Sequence, residues 1–323
     1  MRTAAGAPPL PPGAAELLHS IDTGAVLGAS RQLHVLGECL IEVVKASAQS
    51  TVDLATTVEA LVEHVVSTRG ASSQAVTNGL ERMARPALGR GDRDAVDPER
   101  GDKLVESVQR FRAELDGWLA SVRRYGRELL QGHRTVLAYD YSSTVAQVLG
   151  DVSELAAGVT VFVPEARSLD GGRKYLADWR DLKVDVRLIP DAALGWALAR
   201  CDVAVVGAET LSAEGGCYNT IGTALVAHEA ARNGIPFYVL SVLLKTDMQT
   251  LGGERPSPSL DFLDRLDVSA RGLAMTVAGP FPDLDYTFPQ DISGVVTETG
   301  VVAPAQIRGL ASAEFGKPEG SNG

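Results

Sequence analysis

Between Gly28 and about Arg69 the apolar positions recur at helical spacing. Leu33, Leu36, Leu40, Val43 and Val44 are followed by Val58, Leu61, Val62 and Val65, with almost no turn residues between them. A second helical pair follows in SSQAVTNGLERMA and GDKLVESVQRFRAELDGWLASVRRYGRELL, separated by the charged RPALGRGDRDAVDPERGD, which reads as a solvated loop. The last helix should end near Gly132, where Arg123, Arg124 and Arg127 suit the negative end of its dipole.

After Gly132 the period changes. TVLAYDYSS, GVTVFVPEAR, VDVRLIPDA, CDVAVVGAET and IPFYVLSV are short, β-branched, near-continuously apolar runs, and helical segments separate most of them. That alternation predicts an α/β fold: an N-terminal helical domain followed by a doubly wound, mostly parallel Rossmann-like sheet. One more strand is expected at Ile292 to Thr297, after a polar Pro/Gly-containing excursion over residues 246–274. The expected division is a flexible arm over residues 1–24, a helical domain over 25–132, the sheet domain over 133–310 and a polar tail over 311–323. In sheets of this kind ligands bind beyond the carboxyl ends of the strands, where the strand order reverses. The residues to inspect are therefore Asp140, Tyr141 and Ser142; Glu165 and Arg167; Asp191; Glu209; and Lys245.

Composition narrows the chemistry. A net charge of -11 disfavours nucleic acid or an anionic membrane as the main partner, yet one local cluster of donors is enough for a phosphorylated small molecule. Cys39, Cys201 and Cys217 are odd in number and have no metal-ligand spacing, so neither a disulfide framework nor a metal site is expected, and no cofactor. The Pro/Ala-rich start lacks the basic-then-apolar order of a signal peptide, and no apolar run approaches a membrane span; a cytoplasmic protein is expected.

The most informative stretch is VVGAETLSAEGGCYNTIGTALVAHEAARNG. An apolar strand meets Glu209, a loop carries Gly215, Gly216 and Asn219, and Gly222 and Thr223 open an alanine-rich helix. Strand, glycine loop and helix start together can hold an anion. Glu209 reads either as a ligand-facing carboxylate or as a structural one bonded to neighbouring N–H groups. Asp140 reads either as a site residue or as a cap for the helix SSTVAQVL. Cys217 reads as a small buried hydrophobe. No histidine falls at a strand end, which argues against a histidine-based triad.

PEARSLDGGRKYLADW, IPDAALGWAL, VVGAETLSAEGGCYNTIGT, PFYVLSVLLK and DYTFPQDISGVVTETGVVAP resemble, in order and spacing, one superfamily. It joins the alpha, beta and delta regulatory subunits of initiation factor two-B with methylthioribose-1-phosphate isomerase and ribose-1,5-bisphosphate isomerase. LGASRQLHVLGECLIEV and TRGASSQAVTNGL are similar to its helical domain, so the resemblance covers roughly residues 25–310. It implies a phosphorylated pentose as ligand and a homodimer or higher homo-oligomer. It also implies substrate contacts at Arg69, Glu165, Arg167, Asp191, Asn219, Gly222 and Thr223, to which the strand-end and glycine-loop positions add Ser142, Gly215, Gly216 and Lys245. The catalytic cysteine and aspartate of the isomerases are replaced here by Asp140 and Glu209, and the lysine of their Asn-Lys-x-Gly-Thr helix start by Thr220. Two functions stay open: an aldose-ketose isomerase using Asp140 and Glu209 as its acid/base pair, and a catalytically silent sugar-phosphate or nucleotide binder resembling the initiation factor two-B alpha subunit.

Overall fold

The computed structural model describes residues 9–26, 28–49, 51–70, 73–88, 99–155, 158–250, 259–261 and 280–315. The chain divides into two compact units, Met1–Gly117 and Trp118–Gly323. The division falls inside a helix, earlier than the boundary near Gly132 that the change of period marks, because the helix runs on across it.

The first unit is helical. Helices α1 (Pro12–Asp22), α2 (Ala29–Ala48), α3 (Leu54–Val65) and α4 (Gln74–Leu88) are followed by the start of α5 (Arg100–Leu130). The stripe at helical spacing forms the core: Leu33, Leu36, Leu40 and Val43 of α2 are buried, as are Val58, Leu61 and Val65 of α3. Asp53 starts α3 by accepting the backbone N–H of Thr56 at 2.8 Å. Two differences from the sequence expectation stand out. Part of the segment read as an arm is α1, which buries Ala14, Leu18 and Ile21; proline at the first helical turn costs nothing there, so the Pro-rich composition misleads. Pro86 sits within α4, two residues from its end.

The second unit holds a seven-stranded sheet in the order β13-β12-β7-β4-β1-β2-β3. Its strands are β1 (Thr135–Ala138), β2 (Thr160–Pro164), β3 (Asp185–Ile189), β4 (Val203–Val206), β7 (Phe237–Leu240), β12 (Gly294–Thr297) and β13 (Gly300–Val302). Every pairing is parallel except that of β12 with β13. Helices α6 (Ser143–Leu155), α7 (Gly171–Asp178), α8 (Leu194–Leu198) and α9 (Thr223–Arg232) lie in the crossovers, and α10 (Ile307–Phe315) ends the described chain. Right-handed crossovers place the connections on opposite faces to either side of the point where the order reverses, here between β1 and β4. The fold is thus the expected α/β Rossmann-like one. β3 departs from the buried-strand expectation: it is the sheet edge, and Asp185 and Arg187 on it face solvent.

A second sheet, order β11-β6-β5-β8, was not legible in the sequence. It is made of β5 (Thr210–Ser212), β6 (Cys217–Thr220), β8 (Thr246–Asp247) and β11 (Leu284–Thr287), and a short antiparallel ribbon pairs β9 (Ser259–Asp261) with β10 (Pro280–Pro282). Most of the excursion over 246–274 and all but part of the polar tail lie outside the described residues. Because β1 is a central strand with Leu137 fully buried, Leu137→Ala should lower stability by roughly 2–5 kcal/mol in denaturant unfolding. A change below about 1 kcal/mol would contradict the central placement of β1.

Candidate functional site

The switch point lies between β1 and β4; Asp140 and Glu209 follow these two strands, and Glu209 is near enough for its charge to act on Asp140. Asp140 adopts a left-handed backbone (φ 51°), uncommon for a residue with a side chain though best tolerated by Asp and Asn. Its Oδ2 accepts the Thr220 hydroxyl at 2.6 Å. Burial raises its pKa and the nearby Glu209 charge adds to the rise, against the hydrogen bonds from Thr220 and the Tyr141 backbone and the Lys174 charge, which lower it. The helix-cap reading of Asp140 fails, because Ser142 takes that part: its Oγ accepts the N–H of Val145 at 3.4 Å, at the start of α6.

Glu209 is half-buried, with its Oε2 sealed from solvent and its backbone N–H paired to the Tyr218 carbonyl at 3.0 Å. Lys245 anchors the same strand end, since its ammonium donates to the Ala208 carbonyl at 2.5 Å. The strand-end residues Asp140, Ser142, Glu209 and Lys245 thus belong to the carboxyl edges of β1, β4 and β7.

On the other side of β1, the loop after β2 is held by Asp191, which follows β3. Its two oxygens accept the N–H groups of Ala166 and Arg167 at 2.9 and 2.8 Å. Asp191 therefore shapes the loop, whose Ala166 and Asp170 are also left-handed (φ 49° and 51°). Within it the Arg167 guanidinium meets Asp170 at 2.9 Å, and the Glu165 carbonyl accepts the N–H of Gly172 at the start of α7. Arg69 is described in the first unit, where its Nε donates to Gln32 at 2.8 Å.

Gly215 and Gly216 make the turn between β5 and β6; a Cβ there would meet the Pro304 carbonyl at 2.1 Å and the Tyr286 hydroxyl at 2.2 Å, so close packing explains both. Asn219 and Thr223 are buried and tied to the helix start: the Asn219 amide donates to Thr223 Oγ1 at 3.1 Å, and that hydroxyl donates to the Thr220 carbonyl at 2.7 Å.

The start of α9 already holds an anion from the chain itself. Asp285, on β11, accepts the N–H of Gly222 at 2.7 Å and that of Ala224 at 3.2 Å. The donors assigned from sequence to a ligand phosphate are taken by a carboxylate, which satisfies the same orphan amides and helix dipole. Tyr139 closes the turn from the other side, its hydroxyl donating to the Ile221 carbonyl at 2.7 Å. Sequence reasoning missed Asp285 and Lys174, and named Thr220 only as the replacement of a lysine. An acid inside the strand pattern DYT was the available signal, since Asp is depleted in strands unless it has a specific bond to make. Cys217 is buried and its thiol is pushed up to about 12 by burial, which removes it as a nucleophile. Among the described residues no cluster of three His, Cys, Asp or Glu could hold a metal ion, and no helix is long and apolar enough to cross a membrane.

Burial lifts the Asp285 carboxyl to about 6, against the backbone N–H groups of Gly222, Ala224 and Asp285 itself, which pull it down. The folded state therefore holds a proton more tightly than the unfolded chain. The resulting stabilisation is full below about pH 4 and is lost as the pH rises through about 6. This component should be on the order of 2 kcal/mol, allowing for the partial exposure of the carboxylate. Thermal unfolding of Asp285→Asn between pH 4 and pH 7 should lack it, whereas an unchanged pH slope would show that Asp285 titrates normally.

The profile of the initiation factor 2 subunit family matches residues 26–304. Methylthioribose-1-phosphate isomerase of Thermosipho africanus is 32% identical over 200 residues, 57% of this chain and 57% of that protein, so the match spans little more than half of the relative's length. The Pyrococcus horikoshii translation initiation factor eIF-2B superposes with a TM-score of 0.75 at 21% identity, over 92% of this chain and 99% of that one. A chain of the tetrameric eIF2B beta2-delta2 complex from C. thermophilum superposes with a TM-score of 0.72 at 16% identity, over 90% and 92%. With the family profile matched over most of its length, the chain belongs to the initiation factor 2 subunit family, the superfamily of the initiation factor two-B regulatory subunits and methylthioribose-1-phosphate isomerase.

Proposed function

We propose that the protein binds a phosphorylated pentose at the β1/β4 switch point and interconverts its aldose and ketose forms, with Asp140 and Glu209 as the acid/base pair. The observation that carries this reading is the pair itself: two carboxylates at adjacent strand ends, one of them held towards its neutral form by burial and by the other's charge. For an aldose 1-phosphate, Asp140 as the acid gives a proton to the ring oxygen as the C1–O bond opens. Glu209 as the base takes the hydrogen from C2. Return of a proton to C1 and loss of the O2 proton then leave a ketose 1-phosphate, with atoms and charge balanced. Arg167, Lys174 and Lys245 stand at the same edge of the sheet and supply positive charge for the phosphate. The likeness to methylthioribose-1-phosphate isomerase supports the substrate class, and the likeness to a tetrameric complex supports a homo-oligomer of this chain.

A second reading has its own observation. With Asp285 filling the start of α9, the site has one anion seat fewer than the expected clamp, which favours a silent sugar-phosphate or nucleotide binder.

Solvent deuterium exchange into a panel of pentose 1-phosphates and 1,5-bisphosphates separates the two. The isomerase reading expects exchange and conversion by the wild type. Glu209→Gln and Asp140→Asn should each lower turnover by roughly 10²–10⁴-fold while calorimetry finds ligand affinity nearly kept. Activity that needs a protonated Asp140 should fall as the pH rises. Binding with no exchange at any pH would establish the silent reading, and neither binding nor exchange would end both.

A further inference from the structure

Thr220 and Gly171 have no assigned part in the acid/base pair, yet both touch Asp140. Thr220 is buried at the end of β6, paired across to Leu284 of β11, and its carbonyl accepts the Thr223 hydroxyl. Its own hydroxyl donates to Asp140 Oδ2 at 2.6 Å. On the opposite side, a Cβ at Gly171 would lie 1.8 Å from Asp140 Oδ1 and 3.0 Å from the Tyr141 nitrogen, a distance no side chain can accept. The backbone of Asp140 is fixed as well: its carbonyl accepts the hydroxyl of Tyr175, which is buried and stacked on Trp179.

We infer that Thr220 and Gly171 form a seat for the Asp140 carboxylate, Thr220 by donating a hydrogen bond to one oxygen and Gly171 by leaving the space the other occupies. Both are positioning residues. The catalytic consequence rests on Asp140 being the acid of the proposed reaction; the seat does not. The site has a reason to need it. A carboxylate on a short side chain has two rotatable bonds, and proton transfer tolerates little error in the position of the oxygen. Two further charges act on the same group, Glu209 from beyond β4 and Lys174 from α7, with the Tyr139 and Tyr175 phenols close by. Glu209 favours its neutral form, while Lys174 and Thr220 favour its charged form. Thr220 is the neutral member of that second pair, and its effect is directional where that of Lys174 is not.

The test uses the full chain labelled with ¹³C at the Asp carboxyls, the Asp140 signal being assigned by its loss in Asp140→Asn. Removing the hydroxyl in Thr220→Val withdraws a bond to the charged form, so the Asp140 titration should move up by about one pH unit. Thr220→Ser should restore it. In Gly171→Ala the carboxylate is pushed off the seat, so adding Thr220→Val to that background should move the titration much less than it does alone. If Gly171→Ala does not fold, the Val and Ser pair still decides. Where the wild type turns over a pentose phosphate, the pH limb of kcat/KM should shift with the titration in Thr220→Val and return in Thr220→Ser. A folded Thr220→Val protein whose Asp140 titrates as in the wild type overturns the seat. A shifted titration in a protein that turns over no pentose phosphate keeps the seat and removes the isomerase reading.

Discussion

The reversal of strand order between β1 and β4 is the constraint on which the site depends. Parallel strands need long crossovers, and right-handed crossovers allow growth from β1 towards β3 on one side and from β4 towards β12 on the other only if the two series leave on opposite faces. The chain ends that emerge at the reversal are therefore not covered by their own connections. Asp140 and Glu209 occupy that gap because it is the place along the sheet where two adjacent strand ends diverge.

Around that gap the structure handles buried backbone groups in one repeated way. Asp191 accepts two N–H groups of the loop after β2, Asp285 two at the start of α9, and Glu298 the Leu243 N–H beyond β7. Each carboxylate satisfies amides that would otherwise be orphaned at low dielectric, and each is held in place by doing so. Asp140 and Glu209 follow the two strands that border the switch point, β1 and β4.

Legibility in the sequence followed the range of the forces involved. The core stripe of α2 and α3 and the apolar runs of β1, β2, β4 and β7 express local periodicity, so their positions and the strand-end residues could be read directly. Two things could not. The second sheet is built from three- and four-residue strands whose pairing joins Cys217–Thr220 to Leu284–Thr287, and periodicity in a window cannot see a partner so far along the chain. The filling of the α9 start by Asp285 is a contact of the same long range, and Gly222 read equally well as an anion cradle. Pro12 and its neighbours misled for the opposite reason: a composition typical of flexible arms is also acceptable in the first turn of a helix.

The contact between Gly171 and Asp140 also constrains what can stand at either position. While the carboxylate lies where a Cβ at 171 would stand, any side chain introduced at 171 meets a clash, and while 171 is bare the carboxylate has room. A side chain at 171 can therefore be accommodated only where the Asp140 carboxylate turns away from its present position or is itself replaced. The bare position at 171 thus acts on the carboxylate's orientation, by leaving open the rotamer in which it meets Thr220.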